Sequence, residues 1–528
     1  MHKYATVVCL LTLVLYRQAS AQLENRPILR DSIYSAILKE ERYLDLVVPG
    51  YYAGAQVPQA TQATRTGVIY VMGEPYIASN IEHYLEIEFI PPHIIVSIGG
   101  PSKGTRNLHN GDATGGRDAF LAFITTELMP YINQKYHNNG KNILFGHSLG
   151  GLFAMYALLK SPQSFTGYIL ADPSFWWNHN ELQTMARSTL ASLPDTTKFL
   201  FIAGRSGDPL KTMGDTGMDS VLKEQARPGL HWRSVVYTDE THNSMMLRTL
   251  YDGLKFIYWG YYAGNNLVFH PARGFVLKDK PVTVNCQNDH FSDMYYTTDG
   301  QTPTTASTAL DADTILVTAG SKLTVKGICN QPEYDATLSG DFQQSGVFPT
   351  VTPPKSAQPG GLHYDYYLLK DSANPVRVKP VFSGLADSAF VFGTLDDPEK
   401  YLCVLSGFIR VPQAGYFVFV TRNWDAPKVY LGKQLIIDRG DTDQGNNGSC
   451  IVPLSQGCYA IRAERILRKA QPKMELYYIV PVGESQGKIP VPIPWQDLYS
   501  VKAGRPDGMK PGRPDGMKPG LSDARQPQ

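Results

Sequence analysis

The sequence predicts a multidomain protein in which an α/β domain with a mostly parallel sheet precedes two all-β domains. The chain has 528 residues, which at roughly 150 residues per domain suggests about three folded units. From about residue 35 to 261, short apolar runs alternate with helical patterns, which is typical of a parallel sheet flanked by helices. Beyond about residue 269 the helical periodicity disappears, and alternating runs broken by Gly, Pro and Asp predict β structure.

The individual elements follow from the same patterns. Six apolar runs predict the strands of the parallel sheet, at 67–72, 93–98, 142–145, 168–171, 198–203 and 232–237. Amphipathic stretches at 118–136 and 150–160 predict covering helices. Four downstream segments are expected: a β domain at 266–345, a proline-rich linker at 346–360, a second β domain at 361–485, and a disordered tail with an eight-residue repeat at 486–528.

Composition excludes several classes of protein. Lys and Arg total 49 and Asp and Glu total 48, so the formal charge of +1 argues against a generally basic protein that coats nucleic acid. A hydrophobic content of 43% excludes wholesale disorder. The sequence contains no H-E-x-x-H, C-x-x-C, P-loop or strand-to-helix G-x-G-x-x-G motif, so no metal or nucleotide cofactor is predicted.

Residues 1–21 predict a cleavable signal peptide. Lys3 precedes an apolar run at 5–16 and the small residues Ala19-Ser20-Ala21. The run is shorter than the roughly 20 residues that span a bilayer, and a buried N-terminal helix is the alternative. We therefore expect a secreted or periplasmic protein whose α/β domain occupies residues 22–265. Export permits disulfides, and Cys286 and Cys329 are the expected pair because both lie in strand-like runs of one module.

The strand at 142–145 runs directly into Gly146-His147-Ser148-Leu149-Gly150, and a helical pattern follows. This is G-x-S-x-G in a strand–turn–helix context, which is typical of a nucleophile elbow. The turn forces the serine into a strained conformation and projects its hydroxyl above the sheet at a helix N-terminus. Ser148 is therefore the predicted nucleophile.

A serine hydroxyl needs a base, which in this topology follows the last strand of the sheet. His242 lies in the loop after the strand at 232–237 and is the predicted base. An acid that orients it should follow the preceding strand, where Asp208 is the first carboxylate. Asp215 and Asp219 compete with it, although both are more typical of the start of the next helix. A Ser–His dyad without an acid is the alternative.

The oxyanion hole needs two backbone N–H donors. One is predicted at Leu149, the residue after the nucleophile. The other is predicted at Gly73, in the loop after the strand at 67–72, where a glycine allows close approach. A glycine at this place is equally typical of a plain turn.

Residues 35–261 resemble the putative-esterase family of α/β-hydrolases, which includes esterase D-type, feruloyl, acetyl-xylan and enterochelin-type siderophore esterases. Besides the elbow, the resemblance rests on segments at 35–42, 95–99, 127–132, 172–177 (DPSFWW) and 241–244 (THNS). It implies an α/β-hydrolase fold with Ser148 as nucleophile and His242 as base.

The chain departs from this family at two places near the expected pocket. Asp172 stands where Ser is common, and Met72-Gly73 stands where Asp-Gly is common. Trp176 and Trp177 are predicted substrate-binding residues, because aromatic walls are typical of ligand sites. Packing in the core or in a lid is the alternative for both indoles.

The downstream modules have resemblances of their own. The segments 295–304 and 318–326 are similar to the Ig-like domain at the C-terminus of chitobiases, and 361–482 resembles a protective-antigen-type β-sandwich. Taken together, the resemblances imply an α/β-hydrolase domain followed by two all-β sandwich domains. Such sandwiches accompany glycan-active enzymes, so these modules are candidates for glycan binding. A spacer role is the alternative, since Trp424-Asp425 stands where some members carry paired aspartates.

These observations together predict an exported serine carboxylic-ester hydrolase that acts through an acyl-enzyme and needs no cofactor. The accessory modules favour acetyl or feruloyl esters of carbohydrates as substrates. A siderophore esterase that opens a cyclic trilactone is the first alternative, and a non-catalytic glycan-binding or adhesion protein is the second. Neither a nucleic-acid partner nor a membrane-spanning segment is predicted.

Overall fold

The computed structural model describes residues 28–49, 66–72, 81, 90–98, 116–262, 267–287, 293–368, 379–386, 401–421, 427–438, 448–467, 476–482, 486–487 and 489–501. The predicted signal peptide, Gly73 and the repeat at 504–519 lie outside the described residues. The secreted or periplasmic location, which depends on the signal peptide, stays a prediction.

The chain divides into two compact units, and the first comprises Met1–Tyr262 together with Cys329–Tyr334. This unit contains an eight-stranded sheet in the order β1-β2-β4-β3-β5-β6-β7-β8. Its strands are β1 (Leu29–Ser35), β2 (Glu40–Val47), β3 (Gly67–Met72), β4 (His93–Ile98), β5 (Asn142–His147), β6 (Gly167–Ala171), β7 (Lys198–Arg205) and β8 (Leu230–Tyr237). Strands β3 to β8 run parallel, while β1 and β2 form an antiparallel hairpin on one edge. The predicted mostly parallel sheet is confirmed.

Two of the six predicted strands have the predicted bounds, and the other four are one or two residues longer. The strand predicted at 142–145 continues to His147, because Gly146 and His147 still pair with Leu170 and Ala171 of β6. Likewise, β7 continues to Arg205, which pairs with Tyr237 at the end of β8. These extensions carry polar residues to the carboxyl edge of the sheet.

Helices cover both faces of this sheet. They are α1 (Arg117–Ala122), α2 (Met129–Lys135), α3 (Leu149–Lys160), α4 (Trp177–Thr189), α5 (Asp208–Thr212), α6 (Asp215–Gln225) and α7 (Met245–Ile257), with a π-helical stretch at Phe123–Leu128 that joins α1 to α2. The helix predicted at 118–136 is therefore one helical run with a π-helical centre. Short 3₁₀ turns lie at Pro162–Ser164, Leu190–Ser192 and Pro332–Tyr334.

Side chains alternate along the strands, so two apolar cores form, one on each face. One core includes Tyr70, Leu144 and Leu170 and is covered by α1 to α4 and α6. The other includes Phe145 and Ile169 and is covered by α7. Within the described residues, no helix is long and apolar enough to cross a membrane.

The second unit, Ala263–Ile328 with Asp335–Gln528, is β-rich. Its strands are β9 (Val268–His270), β10 (Arg273–Val276), β11 (Val282–Gln287), β12 (Asp293–Thr297), β13 (Thr308–Ala309), β14 (Thr314–Val317), β15 (Ser321–Ile328), β16 (Ala336–Gln344), β17 (Ala357–Pro359), β18 (Leu362–Leu368), β19 (Phe382–Ala386), β20 (Tyr401–Val411), β21 (Gly415–Thr421), β22 (Lys428–Leu431), β23 (Gln434–Asp438), β24 (Gly448–Leu454), β25 (Gly457–Leu467), β26 (Leu476–Ile479), β27 (Val491–Pro492) and β28 (Leu498–Val501). A 3₁₀ turn at Trp495–Asp497 precedes β28.

The structure joins the two predicted β domains through a shared sheet. Strand β10 pairs in parallel with β16 on one side and with β24 on the other, so a nine-stranded sheet contains strands from both sequence modules. Sequence patterns separate the modules at 346–360, but hydrogen bonding does not stop there. The resemblance of each module to a particular sandwich family stays a prediction.

The predicted linker and part of the predicted tail are also structured. Phe348 donates its N–H to the Pro453 carbonyl at 3.0 Å, and Val351 forms an isolated bridge with Cys458. Within the tail predicted as disordered, β28 pairs with β17 and β20. Phe348 packs against an apolar core of the second unit, and the amides of β28 pair with neighbouring strands. Cys286 is a buried free thiol, so the expected disulfide with Cys329 is not formed.

Candidate active site

Ser148 lies between the end of β5 and the start of α3, as predicted. Its backbone has φ 56° and ψ −115°, a conformation that a non-glycine residue rarely adopts. Strain of this kind persists only where the surrounding structure enforces it, and it is common at functional sites. The predicted strand–turn–helix geometry is present.

The glycines of the motif are required by close packing. A Cβ atom on Gly146 would lie 2.1 Å from the Gly150 carbonyl oxygen, and one on Gly151 would lie 3.0 Å from Cβ of Pro173. No side chain fits at the first position without moving the backbone of α3. The sharp turn that presents the serine therefore depends on glycine.

Backbone hydrogen bonds tie this elbow to the loop after β6. The Ser148 N–H donates to the Ala171 carbonyl at 2.9 Å, and its carbonyl accepts from the amides of Leu152 and Ser174 at 3.0 and 3.1 Å. The Ser148 hydroxyl lies 3.3 Å from the Ser174 hydroxyl. The segment Asp172–Trp176, which we call the β6 loop, is therefore part of the site.

His242 lies in the loop between β8 and α7, and its Nδ1 atom is 2.5 Å from Oδ2 of Asp172. A carboxylate only accepts hydrogen bonds, so Nδ1 carries the proton and Nε2 is left with a lone pair. The histidine side chain is 37% exposed, whereas Asp172 is fully buried. The buried carboxylate thus holds the ring through Nδ1, and Nε2 is the acceptor nitrogen of a partly exposed imidazole.

Asp172 is anchored on two sides. Its Oδ2 atom also accepts from Nε of Arg205 at 2.6 Å, and its amide donates to the Ala203 carbonyl at 2.8 Å. Its φ of 43° is left-handed, which aspartate tolerates better than most residues. The guanidinium compensates the charge of a buried carboxylate, which otherwise is unfavourable. Asp172 is therefore held ready for one partner, the histidine.

The predicted acid is thus replaced by another residue. Asp208, the predicted partner of His242, is exposed in the first turn of α5, and Asp219 pairs with Lys223 at 2.6 Å. Asp215 is buried at the start of α6, and burial, with a smaller contribution from Asp172, raises its pKa to about 8. The carboxylate comes from Asp172, the first residue after β6, and β6 pairs directly with β5, which leads into Ser148.

His147, the residue before the nucleophile, was missed by the sequence analysis. Its Nε2 atom lies 2.6 Å from the His242 carbonyl, so it donates, and the two rings lie 4.4 Å apart between centroids. Burial, together with the neighbouring His242, lowers the pKa of His147. A neutral His147 therefore fixes the backbone of the histidine loop. Its position inside the G-x-S-x-G motif was the available signal.

The oxyanion hole is described on one side. Leu149 is the first residue of α3, so its amide has no acceptor within the helix. The end of β3 lies against the elbow, since a Cβ atom on Gly150 would be 3.3 Å from Cβ of Met72. Gly73, the predicted second donor, follows Met72 directly but lies outside the described residues.

Two tryptophans lie where the β6 loop meets α4. The ring centroids of Trp176 and Trp177 are 5.5 Å apart in an edge-to-face arrangement, and Trp176 is 46% exposed. Asn178, His179 and Asn180 follow with left-handed φ values of 47°, 55° and 61°. An exposed indole two residues beyond Ser174, shortly before this strained segment, is suited to contact a ligand.

Metal coordination has no counterpart in the described part of the chain. There, no group of three or more His, Cys, Asp or Glu side chains is arranged to hold a metal ion. The site as described brings together a strained serine, a histidine bonded to a buried carboxylate, and a helix-start amide. These are the groups of acyl-transfer chemistry.

Comparison with known proteins agrees with this geometry. Residues 55–230 match the model of the family described as "Putative esterase". The chain is 36% identical over 135 residues to the siderophore enterobactin esterase of Emericella nidulans, covering 24% of this chain and 43% of that protein. It is 39% identical over 100 residues to the siderophore triacetylfusarinine C esterase of Aspergillus fumigatus, covering 16% of this chain and 34% of that protein.

Among solved structures, an IroE-like serine hydrolase from Shewanella oneidensis is 26% identical, with a TM-score of 0.38, over 44% of this chain and 81% of that one. The match spans less than half the length of each of the two curated relatives named above. The comparisons support the predicted carboxylic-ester hydrolase and concern the first unit.

Proposed function

We propose that the protein is a serine carboxylic-ester hydrolase in which Ser148, His242 and Asp172 form the catalytic triad. One observation carries the proposal: the 2.5 Å contact between His242 Nδ1 and buried Asp172 Oδ2, beside a serine with φ 56°. The contact fixes the histidine tautomer that a serine hydrolase needs. The family match of residues 55–230 supports the same chemistry.

The reaction follows from these positions. Ser148 Oγ attacks the ester carbonyl while Nε2 of His242 takes its proton, and the Leu149 amide stabilises the developing oxyanion. The bond to the leaving alcohol breaks, and the imidazolium returns its proton to that alcohol. Water then attacks the acyl-enzyme by the same route and releases the acid. Asp172 stabilises the imidazolium in both steps, and Arg205 holds this carboxylate in place through a charged hydrogen bond.

Within this class, a siderophore polyester is the substrate that we propose, rather than an acyl ester of carbohydrate. The relatives reported above are named as esterases of enterobactin and triacetylfusarinine C, which supports the first class. Trp176, half exposed at the end of the β6 loop, suits a ligand with aromatic or apolar groups. The carbohydrate ester, favoured by the sequence modules, becomes the competing outcome.

The test compares purified wild-type protein with Ser148→Ala on three substrates: a catecholate trilactone, feruloylated or acetylated xylan, and p-nitrophenyl acetate. Products are followed by liquid chromatography with mass detection. We expect opening of the trilactone, and a loss of at least about 10³-fold in Ser148→Ala. Ser188→Ala, an exposed helical serine, is the matched control and should keep wild-type rates.

Two outcomes would contradict parts of this proposal. Equal hydrolysis by wild type and Ser148→Ala would remove the serine mechanism altogether. Release of ferulate or acetate from xylan, with an intact trilactone, would keep the mechanism but move the substrate to carbohydrate esters.

A further inference from the structure

A cavity lies in the first unit at the edge of the parallel sheet formed by β8. It has a volume of about 460 Å³, within the range of small-molecule sites. Strand residues His231, Arg233 and Val235 line it from one face of β8, because alternate residues of a strand point the same way. Helix residues spaced by three and four, which share a face of α7 and of the turn after it, line the other wall: Asp252, Lys255, Phe256 and Trp259.

The charge in this cavity is mainly positive. Arg233 is exposed, and within the described residues no carboxylate lies within 4 Å of its guanidinium. The guanidinium carbon is 5.0 Å from the centroid of the Phe256 ring, which orients the group along the wall. Asp252, the carboxylate of the lining, already accepts a hydrogen bond from the Tyr237 hydroxyl at 2.7 Å. The cavity therefore presents an arginine whose N–H groups have no anionic partner.

The rest of the lining is aromatic and fixed. Phe201 and Phe256 lie 5.9 Å apart between ring centroids, and Trp259 leaves 38% of its surface exposed. Asn330 holds the end of this wall, because its amide donates to the Trp259 carbonyl at 2.9 Å and its side chain to the Phe256 carbonyl at 2.7 Å. An exposed indole on a backbone held in this way is ready to stack on a planar ligand.

The cavity is separate from the catalytic residues along the fold. Its strand residues are Phe201 of β7 and residues of β8 before Tyr237, whereas His242 lies in the loop beyond β8. Ser148 and Asp172 do not line it. A ligand in this cavity would therefore not occupy the position of the ester carbonyl.

We propose that this cavity binds a small aromatic carboxylate. Arginine recognises a carboxylate through two parallel N–H donors, which Arg233 has free. The phenyl and indole rings of the lining favour a flat apolar body over a compact, strongly hydrated anion such as phosphate. The site takes its ligand independently of catalysis, so its test does not depend on the ester hydrolase proposal.

Calorimetric titration of the purified full chain tests the proposal with three probes: benzoate, cyclohexanecarboxylate and inorganic phosphate. We expect saturable binding of benzoate, weaker binding of cyclohexanecarboxylate, and the weakest binding with phosphate. Arg233→Gln should weaken benzoate binding at least tenfold. Trp259→Leu should reduce the preference for benzoate over cyclohexanecarboxylate. Ser148→Ala and the surface control Arg187→Gln should bind benzoate within twofold of wild type.

Several results would overturn the proposal. Benzoate that does not bind, or that binds Arg233→Gln as tightly as wild type, removes the site. Phosphate that binds more tightly than benzoate in an Arg233-dependent way replaces the proposed ligand class by inorganic anions. Arg233 is exposed, so its substitution should leave the melting temperature unchanged, and a folded variant with unaltered binding is decisive.

Discussion

The β6 loop and the β7 loop (Ser206–Asp208) follow neighbouring parallel strands, yet they treat their aspartates in opposite ways. In the β6 loop, Asp172 is fully buried and contacts both Arg205 and His242. In the β7 loop, Asp208 is exposed and starts a five-residue helix. The end of β7 thus supplies the cation Arg205, while the end of β6 supplies the carboxylate.

This difference shows that contacts made across the sheet decide which acid reaches the histidine, since Arg205 and His242 both bind Oδ2 of Asp172. Asp172 follows β6, which pairs directly with the strand that carries Ser148. Asp208 follows β7, one strand farther from the nucleophile. Arg205 donates from the end of β7 to Asp172. This ion pair offsets the desolvation cost of burying the carboxylate. The contacts that a loop residue makes therefore indicate its role in the site better than the position of its loop in the sequence.

The largest difference in activity is expected between variants of the two aspartates. We expect Asp172→Asn to lower kcat/KM for the best ester about 10³- to 10⁴-fold, because the amide no longer fixes the productive tautomer of His242. Asp208→Asn should stay within about twofold. Steady-state kinetics of both variants, with circular dichroism to check folding, provide the measurement.

The reverse result would identify Asp208, the acid predicted from the sequence, as the partner of His242. A large loss in Asp208→Asn with an active Asp172→Asn would mean that the contact to Asp172 has no catalytic role. A loss in neither variant would favour the Ser–His dyad.

Asp215 extends the comparison to a third carboxyl near Arg205. It is buried against β7, since a Cβ atom on Gly204 would lie 2.5 Å from its Oδ2 atom, and mainly burial raises its pKa to about 8. Between about pH 4 and pH 8 the folded state therefore keeps a proton that the unfolded state releases. Stability contributed by this site falls as the pH rises through that window.

Asp215→Asn should remove this dependence. Urea unfolding at pH 5 and pH 8 should show the variant gaining stability over wild type as the pH rises, on the order of a few kcal/mol. Asp219→Asn, in the same helix and paired with Lys223, should change stability by less than about 1 kcal/mol at either pH. If the difference in free energy of unfolding between wild type and Asp215→Asn is the same at pH 5 and pH 8, Asp215 is not a buried neutral carboxyl.

Much of the first unit could be predicted from its sequence, because its signals are local. Short apolar runs between helical patterns predicted the strands of the parallel sheet to within one or two residues at each end. The elbow was predictable because Gly146 and Ser148 obey a steric requirement that the motif records. Asp172 was not identified as the acid, since its role depends on contacts with Arg205 and His242, which are 33 and 70 residues away in the chain.

The second unit was less predictable for the same reason. Its strands alternate as expected, but their pairing is not local: β10 joins β16 and β24, although β24 belongs to the later module. The proline-rich composition at 346–360 predicted a linker, whereas Phe348 packs against the core of this unit. Composition describes the preference of a segment alone, and partners elsewhere in the chain override it.

The smallest of the expected effects concerns His147, whose hydrogen bond to the His242 carbonyl ties the nucleophile elbow to the histidine loop. His147→Leu removes a donor from one neutral hydrogen bond worth about 1 kcal/mol, so kcat should fall about five- to tenfold with little change in KM. His147→Gln can place an N–H at a similar reach and should recover most of the loss. A merely structural role would instead lower the melting temperature of both variants and leave kcat of the folded protein unchanged. That result would show that Asp172 alone positions His242.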